Sequence, residues 1–239
     1  MKKLSIEIWS DIACPWCYVG KRRLESALSA FEQEAPEVDL VWRAFELDAA
    51  APRVQPAEVD YVAKLAAKYG RTKQQAQDMI DAMTEVAAKD GLDFRFDRIR
   101  PGNTFDAHRL LHFALESDPQ GGLQDKLKER FMRGYLCEGE AIGEREALLR
   151  MSLEVGLAQA DVERILETDE FSKEVRADEA QARSIGIRGV PFFVIGGKYA
   201  VSGAQPAELL KGAIERAARE QLQAESAPEG ATCGVDGCS

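Results

Sequence analysis

The chain has 239 residues, 45% hydrophobic and 30% charged, enough apolar material for one large domain or a domain carrying a substantial insertion. Its formal net charge of −10 excludes nucleic acid and anionic membrane as the main partners, since both would be repelled. Five cysteines, an odd number, exclude a complete disulfide framework.

Lys2 and Lys3 resemble the start of a secretory signal, but Glu7 and Asp11 interrupt any apolar stretch. No segment approaches the roughly 18 apolar residues of a membrane span. A cytoplasmic location is therefore expected, and there a dithiol is catalytic, redox-sensing or metal-binding. Residues 4–9 (LSIEIW) alternate, with Leu4, Ile6 and Ile8 on one side, and predict a half-buried strand. Cys14-Pro15-Trp16-Cys17 follows, and from Tyr18 the rhythm turns helical, with Leu24, Leu28 and Phe31 on one stripe. Pro15 fits the first helical position, where its missing N–H costs nothing. A thiol at that turn stands at the positive end of the helix dipole. That environment favours thiolate and can bring a cysteine from about 8.5 to roughly 3.5–7.5. The four residues read as a redox dithiol, and Lys21-Arg22-Arg23 as a solvated helix face.

Residues 38–45 (VDLVWRAF) predict a second strand, and residues 49–56, with two prolines, a connection. From about Pro56 to Thr168 the pattern is almost entirely helical. Ala76, Met79, Ile80, Met83 and Ala87 form one apolar stripe, and Leu123, Leu127, Phe131 and Tyr135 another. Asn103 or Thr104 can cap a helix running through His108 and Leu115. Phe171, Val175, Ala182 and Ile185 mark a further helix ending near Gly186. Residues 192–195 and 198–202, joined by Gly196-Gly197, read as a hairpin. Pro206 opens a last helix with Leu209, Leu210, Ala213 and Ala217 inward. Residues 226–239 are short of apolar side chains and are expected to form a mobile tail. This order is α/β and thioredoxin-like, with a large inserted α-helical domain. Residues 1–50 and 169–225 form the thioredoxin-like domain, 51–168 the insertion, and 226–239 the tail.

Two segments make the reading specific. Residues 9–20 (WSDIACPWCYVG) after the first strand, and Gly189-Val190-Pro191-Phe192-Phe193-Val194 before the hairpin, resemble the DsbA-type thioredoxin superfamily. The chain is most similar to its leaderless FrnE-like group, related to 2-hydroxychromene-2-carboxylate isomerases and kappa-class glutathione transferases; Asn103-Thr104 with Ala107-His108-Arg109 adds to the likeness. The resemblance implies a cis bond between Val190 and Pro191, in a loop beside the attacking thiol. The Val190 backbone then pairs with an extended substrate strand. It further implies that Cys14 attacks, a mixed disulfide forms, and Cys17 resolves it.

Other residues carry more than one reading. Trp16 either tunes the thiol and offers a docking surface, or simply packs. Cys233 and Cys238, spaced as Cys-x4-Cys in the tail, form an auxiliary redox couple, join Cys14 and Cys17 around zinc, or are incidental. Cys137 reads as a small buried hydrophobe. His108 and His112 are spaced for a shared metal, but no acidic neighbour in sequence completes a site, so both read as structural, with His108 placed to line the interdomain cleft. The expected activity is thiol–disulfide exchange on protein or small-thiol disulfides, of the reductase or isomerase type, with Pro15 and Trp16 tuning the couple and Val190-Pro191 shaping the groove. No cofactor or metal is called for, and glutathione or a partner reductase resets the site. The rivals are a glutathione-dependent isomerase or transferase and a zinc-sequestering protein.

Overall fold

Alternation sets the first strand, β1 (Leu4–Ser10): Leu4, Ile6 and Ile8 are buried, while Ser5 is exposed and Glu7 half-buried between them. The alternation stops at Trp9 and Ser10, both buried, because Ala182 and Ile187 pack against Trp9 on the second face of the sheet. In the computed structural model, which describes residues 3–31, 36–53 and 60–226, the chain turns into α1 (Pro15–Ser29) and returns as β2 (Val38–Ala44). A run of helices follows: α2 (Tyr61–Tyr69), α3 (Lys73–Lys89), α4 (Phe105–Ser117), α5 (Gly122–Arg133), α6 (Arg145–Glu154) and α7 (Gln159–Glu167). A π-helical turn, Gly134–Glu138, continues α5. Then α8 (Ser172–Ser184) leads to the hairpin β3 (Phe192–Ile195) and β4 (Tyr199–Ser202), and α9 (Ala207–Ser226) closes the fold.

The sheet order is β2-β1-β3-β4, with β2 parallel to β1 and β3 antiparallel to both its neighbours. This is the thioredoxin-like arrangement, with helices inserted between β2 and α8, that the element order predicts. One sheet face is covered by α1 and α9, whose Leu24, Ala27, Leu210 and Ile214 pack on Ile6, Ile8, Phe193 and Ile195. A larger cluster fills the helical region, and Ile12, Cys14, Cys17, Tyr18 and Val19 belong to it. The Cys-Pro-Trp-Cys turn is thus packed into the seam between sheet and helices.

That seam is fixed by polar contacts as well as apolar ones. The Gln124 carboxamide acts like one residue of a neighbouring strand: its Oε1 accepts from Trp42 N at 2.9 Å and its Nε2 donates to Trp42 O at 3.0 Å. Gly121 makes this approach possible. Its φ of +79° suits glycine, and a Cβ would lie 2.6 Å from Leu40 O.

Two sequence expectations change, and one open alternative is resolved. Lys21 is not solvated: it is buried, pairing with Glu25, with Asp125 at 3.2 Å and with Glu129 at 3.3 Å. Met79 and Leu209 face outward, 40% and 48% exposed, while Ile80 and Leu210 beside them are buried. Neighbouring helical residues differ by about 100° in direction, so an apolar run alone does not say which of two adjacent residues points in. Asn103, one residue before the N-cap Thr104, supplies the side chain at the start of α4, its Oδ1 accepting from Phe105 N at 2.9 Å.

Candidate active site

Cys14 is the N-cap of α1, in extended conformation, and Pro15 takes the first helical position. Cys14 N donates to Asp11 O at 3.3 Å and Cys17 N to Cys14 O at 3.0 Å, which closes the turn and stacks the two thiols at one helix end. Both cysteines are buried, Cys14 at 4% and Cys17 at 0% exposure, whereas Trp16 stands out at 44%. Cys14 Sγ donates to Val190 O at 3.6 Å, a contact spanning nearly the whole chain. The Val190-Pro191 bond is cis, as the resemblance implies. Pro191 O accepts from Gly203 N at 2.8 Å, tying the loop to the end of β4. On the other side α1 comes close enough that a Cβ on Gly20 would stand 2.9 Å from Pro191 Cγ. The structure therefore brings Cys14, Cys17, Val190 and Pro191 together, with Pro15 and Trp16 at the mouth. Cys233 and Cys238 lie outside the described residues.

The electrostatics correct one expectation. In the dithiol, hydrogen bonding to Cys17, then burial and the charge of Cys17, with Asp11 behind them, push the Cys14 thiol up; the Cys17 N–H opposes them by favouring thiolate. The helix terminus does not act alone.

Three buried charged or titratable groups lie under the turn, and sequence reasoning gave none of them a role in the chemistry. Asp11 Oδ2 accepts from Leu47 N at 2.8 Å, and Oδ1 lies 3.5 Å from His108 Nε2. Burial raises its carboxyl, but His108, Leu47 and Thr104 outweigh that and hold it below the ordinary range. His108 is pushed down by burial first, and by Lys128 and His112, against Asp11. His108 thus reaches into the core toward Asp11 at 1% exposure, and does not line an open cleft. His112 turns to another carboxylate, with Nε2 2.8 Å from Asp178 Oδ2. Each histidine finds an acid that lies far away in sequence, and among the described residues no group of three or more His, Cys, Asp and Glu could hold a metal. The third group, Lys128, is wholly buried, and its Nζ donates to Ser10 O at 3.2 Å. Its only sequence signal is the i, i+4 spacing from Gln124, which also faces inward.

Arg109, part of the family-like stretch, is structural. Its guanidinium donates to the backbone carbonyls of Ile165, Thr168 and Glu170, closing the C-terminal end of α7, and pairs with Asp106 at 2.9 Å. Cys137 is half-buried at the end of the π-helical turn, less enclosed than expected, and burial pushes its thiol up to about 11.

A thioredoxin-like sheet, a Cys-x-x-Cys turn at a helix start and a cis-proline loop over the first thiol define the thiol–disulfide oxidoreductase class. The DSBA-like thioredoxin domain matches residues 5–215, and the chain belongs to that family. A crystal structure of a probable DsbA oxidoreductase from Streptomyces coelicolor is similar at 40% identity and a TM-score of 0.82, covering 99% of this chain and 98% of that one. The Bacillus subtilis protein YwbO is 28% identical over 195 residues, 80% of this chain and 86% of its own. The cytosolic disulfide reductase DsbM of Pseudomonas aeruginosa shares the fold, at 15% identity and a TM-score of 0.59 over 93% of this chain and all of that one. Among the described residues no helix is long and apolar enough to cross a membrane.

Proposed function

We propose that the protein is a cytoplasmic thiol–disulfide oxidoreductase, of the reductase or isomerase type, working through Cys14-Pro15-Trp16-Cys17 on protein or small-thiol disulfides. The observation that carries this reading is the 3.6 Å contact between Cys14 Sγ and Val190 O. It puts the outer thiol against the loop where an extended substrate would lie, while Cys17 waits one turn behind. Cys14, as thiolate, attacks a substrate disulfide; one substrate sulfur leaves with the electron pair and a mixed disulfide remains. Cys17 then attacks the Cys14 sulfur, the second substrate sulfur leaves, and the Cys14–Cys17 bond closes.

Val190 and Pro191 shape the groove, where main-chain pairing makes no demand on substrate sequence. Trp16, exposed beside Cys14, offers an apolar platform, and Pro15 starts the helix that holds both thiols. The sulfur atoms carry the electrons, so no organic cofactor enters. Glutathione or a partner reductase returns the site to its working state. Cys233 and Cys238 are read as an auxiliary couple that exchanges with this pair, and residues 51–168 as one inserted helical unit.

The test is insulin-disulfide reduction. Cys14→Ser should fall to the uncatalysed rate, and Cys17→Ser should accumulate a mixed disulfide visible as added mass. Undiminished turnover by Cys14→Ser would sink the assignment of the nucleophile.

A further inference from the structure

Beside the dithiol lies a cavity that the exchange reaction leaves unused. Its volume is about 90 Å³, room for a few waters or one side chain and far short of an organic cofactor. Ala13, one place before Cys14, forms part of its wall, so a group bound there adjoins the site of attack. Another wall is α2, which presents Tyr61, Lys64, Leu65 and Lys68, spaced i, i+3, i+4 and i+7 on one helix face. Asp60 caps that helix by accepting from Ala63 N at 2.8 Å, and the Tyr61 ring stacks on Phe96 at 5.9 Å.

Tyr135 reaches the same cavity from the π-helical turn that continues α5, a distortion that recurs at functional sites. It is 3% exposed, and its hydroxyl has no hydrogen-bond partner among the described residues. A buried phenol ordinarily finds one, so a hydroxyl left over at a cavity marks a place for an acceptor. Burial holds the Tyr135 phenol well above its ordinary value and pushes Tyr61 up to about 12, so both remain protonated donors. Lys64 is half-buried and Lys68 exposed, and neither has a carboxylate within ion-pair distance among the described residues. Two carboxylates face them across the cavity lining, Asp11 and Asp48. Asp11 is already committed to Leu47 N and His108, and Asp48 is exposed, where water and salt screen it. The lining therefore offers cations and donors to an anion.

We propose that this cavity is a specificity subsite for an acidic side chain of a polypeptide substrate, on a residue adjoining the cysteine under attack. The inference rests on the dithiol reading above. Lys64 and Lys68 attract the carboxylate, and the Tyr135 and Tyr61 hydroxyls donate to its oxygens. The substrate main chain runs along Val190 without regard to sequence, so the cavity supplies the selectivity that main-chain pairing lacks. Volume chooses the occupant: one carboxylate side chain fills the space, and a whole tripeptide does not fit within it. The net charge of −10 by itself disfavours acidic substrates, so a preference for one has to come from local cations.

Two pairs of short peptides test the subsite, one pair with Glu or Gln directly before a central cysteine, the other with Glu or Gln directly after it. Each cysteine is supplied as its mixed disulfide with uncharged 2-thiopyridine, coloured on release, and the reduced full-length protein is in excess so that a single turnover is read. In the wild type at low salt at least one Glu peptide should react about fivefold or more faster than its Gln twin, a preference that fades as salt is raised. In the double variant Lys64→Gln, Lys68→Gln that ratio should fall to about one or below, and Tyr135→Phe should lower it part of the way. Each ratio compares two peptides on one protein, so a general loss of folding or thiol reactivity cancels. Equal rates or a Gln preference in both wild-type pairs overturns the subsite, as does a Glu preference that the double variant leaves unchanged. A dependence on Lys64 and Lys68 confined to the thiopyridine disulfide of glutathione would hand the cavity to a free small thiol and overturn the peptide occupant. No coloured release from any peptide would instead overturn the dithiol reading itself.

Discussion

Gly20 is a position where a single methyl group would reach the site. Its Cβ would stand 2.9 Å from Pro191 Cγ and 3.4 Å from Phe193 Cζ, and a proline ring wedged between α1 and β3 has little room to yield. Gly20→Ala should cost about 1–3 kcal/mol in urea denaturation, the range for overpacking a tight contact, and should lower turnover by displacing the loop over Cys14. Wild-type stability and turnover together would show the contact to be soft. His108 gives a second test at this scale. Its folded pKa is depressed by burial first, so below the unfolded value of about 6.5 the unfolded chain binds a proton that the folded chain refuses. Stability is therefore complete above that pH and is lost as pH falls through the folded pKa. Asp11, also depressed, adds the same trend lower down, from about 3.9. The urea midpoint should begin to fall near pH 6.5, and His108→Gln should delay that fall; a flat midpoint from pH 7.5 to 5 in the wild type contradicts a neutral buried His108. Cys14, Cys17 and the Val190-Pro191 step were legible at this scale because the motif is local and its resemblance specific. Lys128 was not, since a lysine one place from Leu127 looks the same whether the next layer is water or the end of β1.

At the scale of elements, the seam between β2 and α5 decides how firmly the helices hold the active-site turn. Gln124 meets both polar groups of the Trp42 main chain, and Asp178 accepts from Ala44 N at 2.8 Å two residues on. Gln124→Leu keeps the shape and leaves a buried N–H and C=O without partners. It should destabilise the fold by about 2–6 kcal/mol, the sum for two such groups, read as a lower urea midpoint at unchanged slope. A loss under about 0.5 kcal/mol would mean that β2 does not depend on this cap. The sequence predicted β1, the start of α1 at Pro15 and the hairpin about Gly196-Gly197 because alternation, proline placement and paired glycines act over a few residues. It misjudged Lys21, Met79 and Leu209 because their direction is set by what packs against the helix. Lys21 turns inward to Asp125 and Glu129, acids from a helix about a hundred residues later in the chain.

Across the whole molecule, the Cys-Pro-Trp-Cys turn belongs to the thioredoxin-like sheet by connectivity and to the helical cluster by packing. The helices thereby supply buried titratable side chains to the segment before the turn: His108 from α4, beside Asp11, and Lys128 from α5, on Ser10 O. Element order was enough to foresee an inserted helical region, but which of its side chains reach the segment before the turn, His108 at Asp11 and Lys128 at Ser10, is set by packing between segments far apart in the chain. The most direct test of the account is the redox titration of the full chain in glutathione buffers, with alkylation and mass spectrometry scoring Cys14–Cys17 separately from Cys137, Cys233 and Cys238. The account predicts a single two-electron transition of the Cys14–Cys17 pair, between about −270 and −120 mV. A pair that stays fully reduced or fully oxidised across that whole range would contradict it.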